Sequence, residues 1–240
     1  MLLHRNYRQV YQTSTMGALL DGVYDGDVTI RELLRHGNFG LGTFNGLDGE
    51  MLVLGGICYQ LRGDGSVTIA DPDERTPFAV LTWFHPERRF AVESVDRAAL
   101  KAIIDDALES SNLMVAVRVA GDFSQIRTRT VTAQDRPYRP FTEATGDQQV
   151  VTFADVRGTL AGFRMPEYQQ GVSVAGYHSH FVDDDRRHGG HALDYRLARG
   201  TVEICLRSEL HLTLQRTPQF LRAELNGADV DTQIRQTEGG

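Results

Sequence analysis

Closely spaced turn signals restrict this chain to a sheet-rich fold. Phe39, Leu41 and Thr43 alternate with Gly40 and Gly42, and Asn45–Gly46 and Asp48–Gly49 follow at once. Such dipeptides accept the positive φ angles of tight hairpins. Met51 to Leu54 reads as the returning strand. Gly63-Asp64-Gly65 separates the strand-like runs Tyr59–Arg62 and Val67–Ala70 in the same way.

Further strands are expected at Phe78–Phe84, Leu113–Ala120, Gln125–Thr132, Gln149–Phe153, Thr159–Arg164, Val172–Phe181, Ala192–Leu206 and Glu209–Leu214. Helical patterns are few. Thr29 and Glu32 form a capping box ahead of Leu33 and Leu34, and Gly37 can close that helix. Leu100, Ile103, Ile104, Ala107 and Leu108 keep helical spacing over Arg97–Glu109, with Asp96 as the cap. Hairpin signals outnumber strand-helix-strand alternation, and no G-x-G-x-x-G opens a helix after a strand. The expected class is therefore α+β: two packed β-sheet domains, mixed and antiparallel strands, few helices. Arg136-Pro137-Tyr138-Arg139-Pro140 is the one Pro-rich stretch and the expected linker. It divides the chain into residues 1–136, with two helices, and 137–240, an antiparallel β domain. The polar tail from Asn226 reads as frayed.

A length of 240 residues suits one large domain or two small ones. The net charge of −7 argues against general nucleic-acid binding, which needs cations to displace phosphate counterions. It leaves room for a small anion held by a local arginine. Cys58 and Cys205 stand far apart in apolar runs and read as buried thiols. No secretory h-region and no run of about 20 apolar residues appear, so the expectation is a soluble cytoplasmic protein without membrane contact.

Four of the eight histidines fall between Gly176 and His191. Residues two apart share a strand face, so His178 and His180 point the same way. The polar stretch Val182–Gly190 can turn the chain back and bring His191 beside them. Three imidazoles with open positions form a catalytic transition-metal arrangement, with zinc the default. His188 sits inside the charged loop and ranks below His191 for the third place. A pair of surface histidines on a strand is the plain alternative. A cupin-like metal site is another, since that pattern begins with H-x-H and places a Glu about four residues on, where this chain has Asp184. An iron-dependent oxygenase or a non-catalytic metal-binding module would follow from it.

The segments GNFGLGTFNGLDGEM, RTRTV with RPYRP, and GYHSHFVDDDRRHGGHALD together resemble the acetolactate decarboxylase family. The resemblance extends over most of the chain. It implies two α/β domains with a metal site near their junction, and a homodimer. It implies decarboxylation of 2-acetolactate to (R)-acetoin and CO2, with zinc stabilising the enediolate and a stereoselective protonation. On the matching positions His178, His180 and His191 would hold the zinc. Glu50 and Arg129 would act at the metal, with Glu238 as a second glutamate and Glu224 as its nearby alternative. Thr43 would line the substrate pocket. Asp194 is a further possibility, orienting a ligand from behind, although an ordinary strand aspartate fits it as well. Without the resemblance, Glu50 could simply solvate a hairpin end. Arg127 and Arg129 could be a solvated stripe on one strand face.

Overall fold

The computed structural model describes residues 6–223, 225 and 230–238. Fourteen strands and five α-helices succeed one another in these residues. The first part runs β1 (Gln9–Thr13), α1 (Met16–Leu20), β2 (Val28–Thr29), α2 (Ile30–Leu33), β3 (Phe39–Thr43), β4 (Glu50–Leu54), β5 (Ile57–Leu61), β6 (Val67–Ile69), β7 (Arg75–Thr76) and β8 (Ala79–Thr82). The second runs β9 (Arg88–Asp96), α3 (Arg97–Asp106), β10 (Met114–Thr130), α4 (Phe141–Ala144), β11 (Gln149–Met165), β12 (Gly176–Asp183), β13 (Gly189–Arg207), β14 (Glu209–Thr213) and α5 (Val230–Glu238).

A seven-stranded sheet has the order β14-β1-β8-β3-β4-β5-β6, with β1 and β14 parallel and the remaining pairs antiparallel. A second sheet has the order β10-β11-β12-β13-β9, and β13 also pairs with β10, so its pairings close on themselves. β2 and β7 form a small separate ladder. The expectation of mixed and antiparallel sheets with few helices holds.

The two large sheets share one core. Phe39, Leu41, Leu52 and Leu61 from the first meet Ala116, Ala161, Phe163 and Val182 from the second. Strand alternation then fixes what else faces the gap. Leu52 faces it, so Glu50 does too, while Met51 and Val53 belong to the opposite face with α2. Val182 faces the gap, so His180 and His178 do as well, and Phe181 packs into the separate core of the second sheet. Val131 faces the gap and carries Arg129 with it.

Local chemistry sets the elements that position these residues. Thr29 and Glu32 make the capping box reciprocally. Asp96 caps α3, accepting from the Ala99 amide at 2.8 Å. That helix ends at Asp106, earlier than its apolar pattern suggests, where Arg88 takes the Ala107 carbonyl. Gly49 precedes Glu50 with φ +89°, and a Cβ there would lie 2.4 Å from the Leu61 carbonyl oxygen. A glycine is therefore required to bring the hairpin back in register, Thr43 opposite Glu50.

Further expectations change, and the runs Gln149–Phe153 and Thr159–Arg164 join in the single strand β11. Gly121–Asp122 does not divide two strands: β10 runs unbroken past it. Gly121 pairs with Gly158 on one side and Gly200 on the other, so missing side chains let three strands cross closely. The Pro-rich stretch lies between β10 and β11, which pair with each other over most of their length. It breaks regular structure, as proline must, and leaves both flanks in one sheet. Finally, part of the tail is helical. α5 packs on α1 and α4 and sinks Ile234 into the inter-sheet core. Glu224 and the side chain of Glu238 lie outside the described residues; Glu238 is the last residue of α5. Cys58 and Cys205 are buried thiols.

Candidate metal centre

His178 and His180 come from β12, and His191 from the start of β13. His191 is paired with His180 on one edge and with Arg129 of β10 on the other. The register thus sets His180, His191 and Arg129 opposite one another, with His178 two residues along the same face of β12. One ligand atom from each histidine lies within 4.8 Å of the others. Ring centroids are 5.1 Å apart for His178 and His180, 4.9 Å for His178 and His191, and 5.5 Å for His180 and His191.

The tautomer of a neutral His180 follows from its neighbour. Its Nδ1 is 2.8 Å from the Met51 carbonyl oxygen, which can only accept. Nδ1 therefore carries the hydrogen, and in the neutral ring Nε2 has its lone pair for a metal ion. That lone pair faces Glu50 Oε2 at 3.6 Å, with His180 fully buried and Glu50 8% exposed. Two electron-rich atoms at this spacing suit two donors on one small cation. Tetrahedral ligands at about 2.0–2.1 Å from zinc are about 3.4 Å apart. Burial of the ring, and secondarily the Arg129 guanidinium, push His178 down from 6.5 to about 3. A neutral imidazole is the form that binds a metal ion. Three imidazole nitrogens with a carboxylate near one of them are a borderline donor set that fits zinc and other late divalent metals.

This shift gives the metal-free fold a pH dependence. An unfolded chain protonates His178 below about 6.5, whereas the folded ring stays neutral down to about 3. The unfolded state thus binds more protons in that window, and stability falls as pH drops through it. The melting temperature of chelated protein is expected to decline from pH 7.5 to pH 5. The decline should shrink in His178→Asn, and an equal decline in both proteins would remove His178 as the cause.

Arg129 is 6% exposed, and its Nη1 donates to Gln148 Oε1 at 2.7 Å. Thr43 donates its hydroxyl to the Gly49 carbonyl at 2.7 Å, pinning the turn directly before Glu50. A narrow pocket beside the centre has apolar walls of Met16, Leu19, Phe78, Val131 and Phe141 and polar groups from Thr43, Glu50 and His178. Such a site suits a small, largely aliphatic molecule with a few oxygens. A roomier surface cleft of about 470 Å³ lies by Tyr7, His85 and Glu87. Its buried Arg207 is committed to Thr82, Glu87 and the Trp83 carbonyl, so that cleft offers little chemistry.

His188 lies apart from the cluster, with Nδ1 2.9 Å from Asp183 Oδ2. Asp184 pairs with Arg157 at 3.0 Å and does not join the histidines as a cupin-type ligand would. Asp194 is exposed and accepts from the Tyr195 amide. Sequence reasoning missed Gln148, the Met51 carbonyl and the walls from α1 and Phe141. Each of these acts through distant chain segments, which no local pattern marks.

The sequence model of the Alpha-acetolactate decarboxylase family matches residues 10–227. This chain belongs to the alpha-acetolactate decarboxylase family. It is 48% identical over 230 residues to the alpha-acetolactate decarboxylase of Klebsiella aerogenes, covering 95% of this chain and 88% of that protein. It is 43% identical over 232 residues to that of Bacillus subtilis strain 168, covering 96% and 91%. A crystal structure of alpha-acetolactate decarboxylase from Bacillus subtilis strain 168 superposes with a TM-score of 0.95 and 42% identity, covering 97% of this chain and all of that one. No described helix is long and apolar enough to cross a membrane.

Proposed function

We propose that this protein converts 2-acetolactate to (R)-acetoin and CO2 with a zinc ion held by His178, His180 and His191. The observation that carries the proposal is the grouping of those three imidazoles, with Glu50 3.6 Å from His180 and lining a small, largely apolar pocket together with His178. Bound zinc supplies Lewis acidity for the ketone oxygen, where the electron pair released by decarboxylation must go.

The chain's own groups do the rest. Arg129 offers its planar fork to the substrate carboxylate until that group leaves as CO2. Met16, Leu19, Phe78 and Phe141 accept the methyl groups and keep water away. Glu50 takes the hydroxyl proton on a carboxylate oxygen and returns a proton to the carbon that has lost CO2. Overall one proton is taken up from solvent, since an anion becomes a neutral product. Because Glu50 is fixed on β4 by the Gly49 turn, it reaches one face of that carbon, and the product has one hand. Glu238 is a second proton carrier in this reading, brought by α5. We also infer, from family likeness alone, a homodimer in the cytoplasm; the mass in solution checks the first.

The direct test is acetoin release from racemic 2-acetolactate, with the product resolved by chiral chromatography. Turnover to (R)-acetoin is expected from zinc-loaded protein. Absence of turnover in folded, zinc-loaded protein would overturn the activity, and racemic acetoin would overturn the fixed proton donor.

A further inference from the structure

Gln148 carries an unexplained buried donor beside the metal centre. It stands just before β11, after the connection that also supplies Val131 and Phe141 to the pocket. Its amide orientation is determined, because Arg129 Nη1 can only donate and Oε1 must be the atom 2.7 Å away. Nε2 is then directed elsewhere, and it is closed off from solvent with no hydrogen-bond partner among the described residues. A buried N–H without a partner is unfavourable enough that native folds rarely keep one without a use. The acceptor end of the same amide is occupied by Arg129, so the idle donor lies beside the guanidinium. Two cooperating donors side by side suit an anionic oxygen.

We propose that Gln148 has two roles: it orients Arg129 through Oε1, and it donates from Nε2 to the carboxylate of the bound substrate. This rests on the decarboxylase reading above. Gln148 becomes a substrate-binding residue, its Nε2 donating a hydrogen bond only when substrate is present. The contact is made before CO2 leaves, so it stabilises the bound substrate and contributes to KM more than to kcat.

Two variants test it. Gln148→Leu removes both the acceptor and the donor. Gln148→Glu keeps an acceptor for Arg129 but replaces the donor by a negative charge facing the carboxylate. Steady-state turnover of racemic 2-acetolactate is measured on zinc-loaded proteins, with zinc content and melting temperature followed in parallel. A hydrogen bond to a charged group corresponds to a loss of about 10–100-fold in kcat/KM. Both variants are expected to show it, chiefly as a raised KM, with zinc retained. A wild-type KM in Gln148→Glu would overturn the donor role. An altered melting temperature with unchanged kinetics in both variants would overturn both roles and leave Gln148 purely structural. Failure of the decarboxylase reading itself would show separately, as no turnover by the unaltered protein.

Discussion

The His180→Ala protein is expected to lose stoichiometric zinc and at least about 10²–10³-fold of its acetoin release, the scale of losing one major electrostatic stabiliser at a reacting oxygen. Several features concentrate the effect on this residue. His180 is fully buried, its Nδ1 is tied to Met51 of the facing sheet, and its Nε2 meets Glu50 at 3.6 Å. Neither His188 nor Asp184 is placed to substitute for it, since His188 is turned to Asp183 and Asp184 to Arg157. Stripping zinc from the unaltered protein should reproduce the loss, and adding zinc back should reverse it. Add-back should fail in the variant. Losing the donor to the Met51 carbonyl also costs roughly 1–3 kcal/mol, so the melting temperature is expected to fall modestly without loss of the fold. Metal analysis alongside the activity assay decides the matter: full zinc content in His180→Ala would remove His180 from the ligand set.

That residue also shows why the centre was legible in sequence. His178 and His180 share a strand face by alternation alone, and a polar loop followed by a strand brings His191 opposite His180. These are local rules acting over 14 residues, and the register obeys them. The β3–β4 hairpin was legible for the same reason, since Gly46 and Gly49 mark its positive-φ corners. What joins the hairpin to the histidines was not. Glu50 reaches His180 because Leu52 and Val182 bury against the same inter-sheet core, a packing that sequence spacing does not encode. Gly121–Asp122 looks like a turn, because a glycine that permits a turn and a glycine that permits close strand crossing are identical in sequence. The Pro-rich stretch has the same ambiguity. Proline reports that regular hydrogen bonding stops, and says nothing about whether the strands on either side pair. The tail helix was hidden because Ile234, with Val230 packed beside it, anchors a segment that is otherwise largely polar. The family resemblance brought in Glu50 and Arg129, whose residue types alone carry no signal of use.

Glu50→Gln should separate proton transfer from metal binding, and its expected effect is about 10²–10⁴-fold on kcat, the usual contribution of a positioned acid–base group. Glutamine keeps the shape of glutamate and can still accept a hydrogen bond through its carbonyl oxygen, but it cannot pick up and return a proton. Position argues for this role as much as chemistry does. Glu50 is held at the first residue of β4, opposite Thr43, by a glycine turn that the Thr43 hydroxyl pins. It stands on the inter-sheet face at the edge of the pocket that would receive the substrate's methyl groups. A carboxylate so confined can reach one face of a flat carbon centre and not the other. If proton transfer is its task, Glu50→Gln retains zinc through the three histidines, binds 2-acetolactate with a similar KM, and gives residual acetoin of mixed handedness. If Glu50 instead serves mainly to hold the metal, zinc affinity falls and the slow residual turnover keeps its (R) selectivity. Zinc retention and chirality of the residual product therefore move in opposite directions under the two roles. Full activity with intact selectivity would remove Glu50 from both roles.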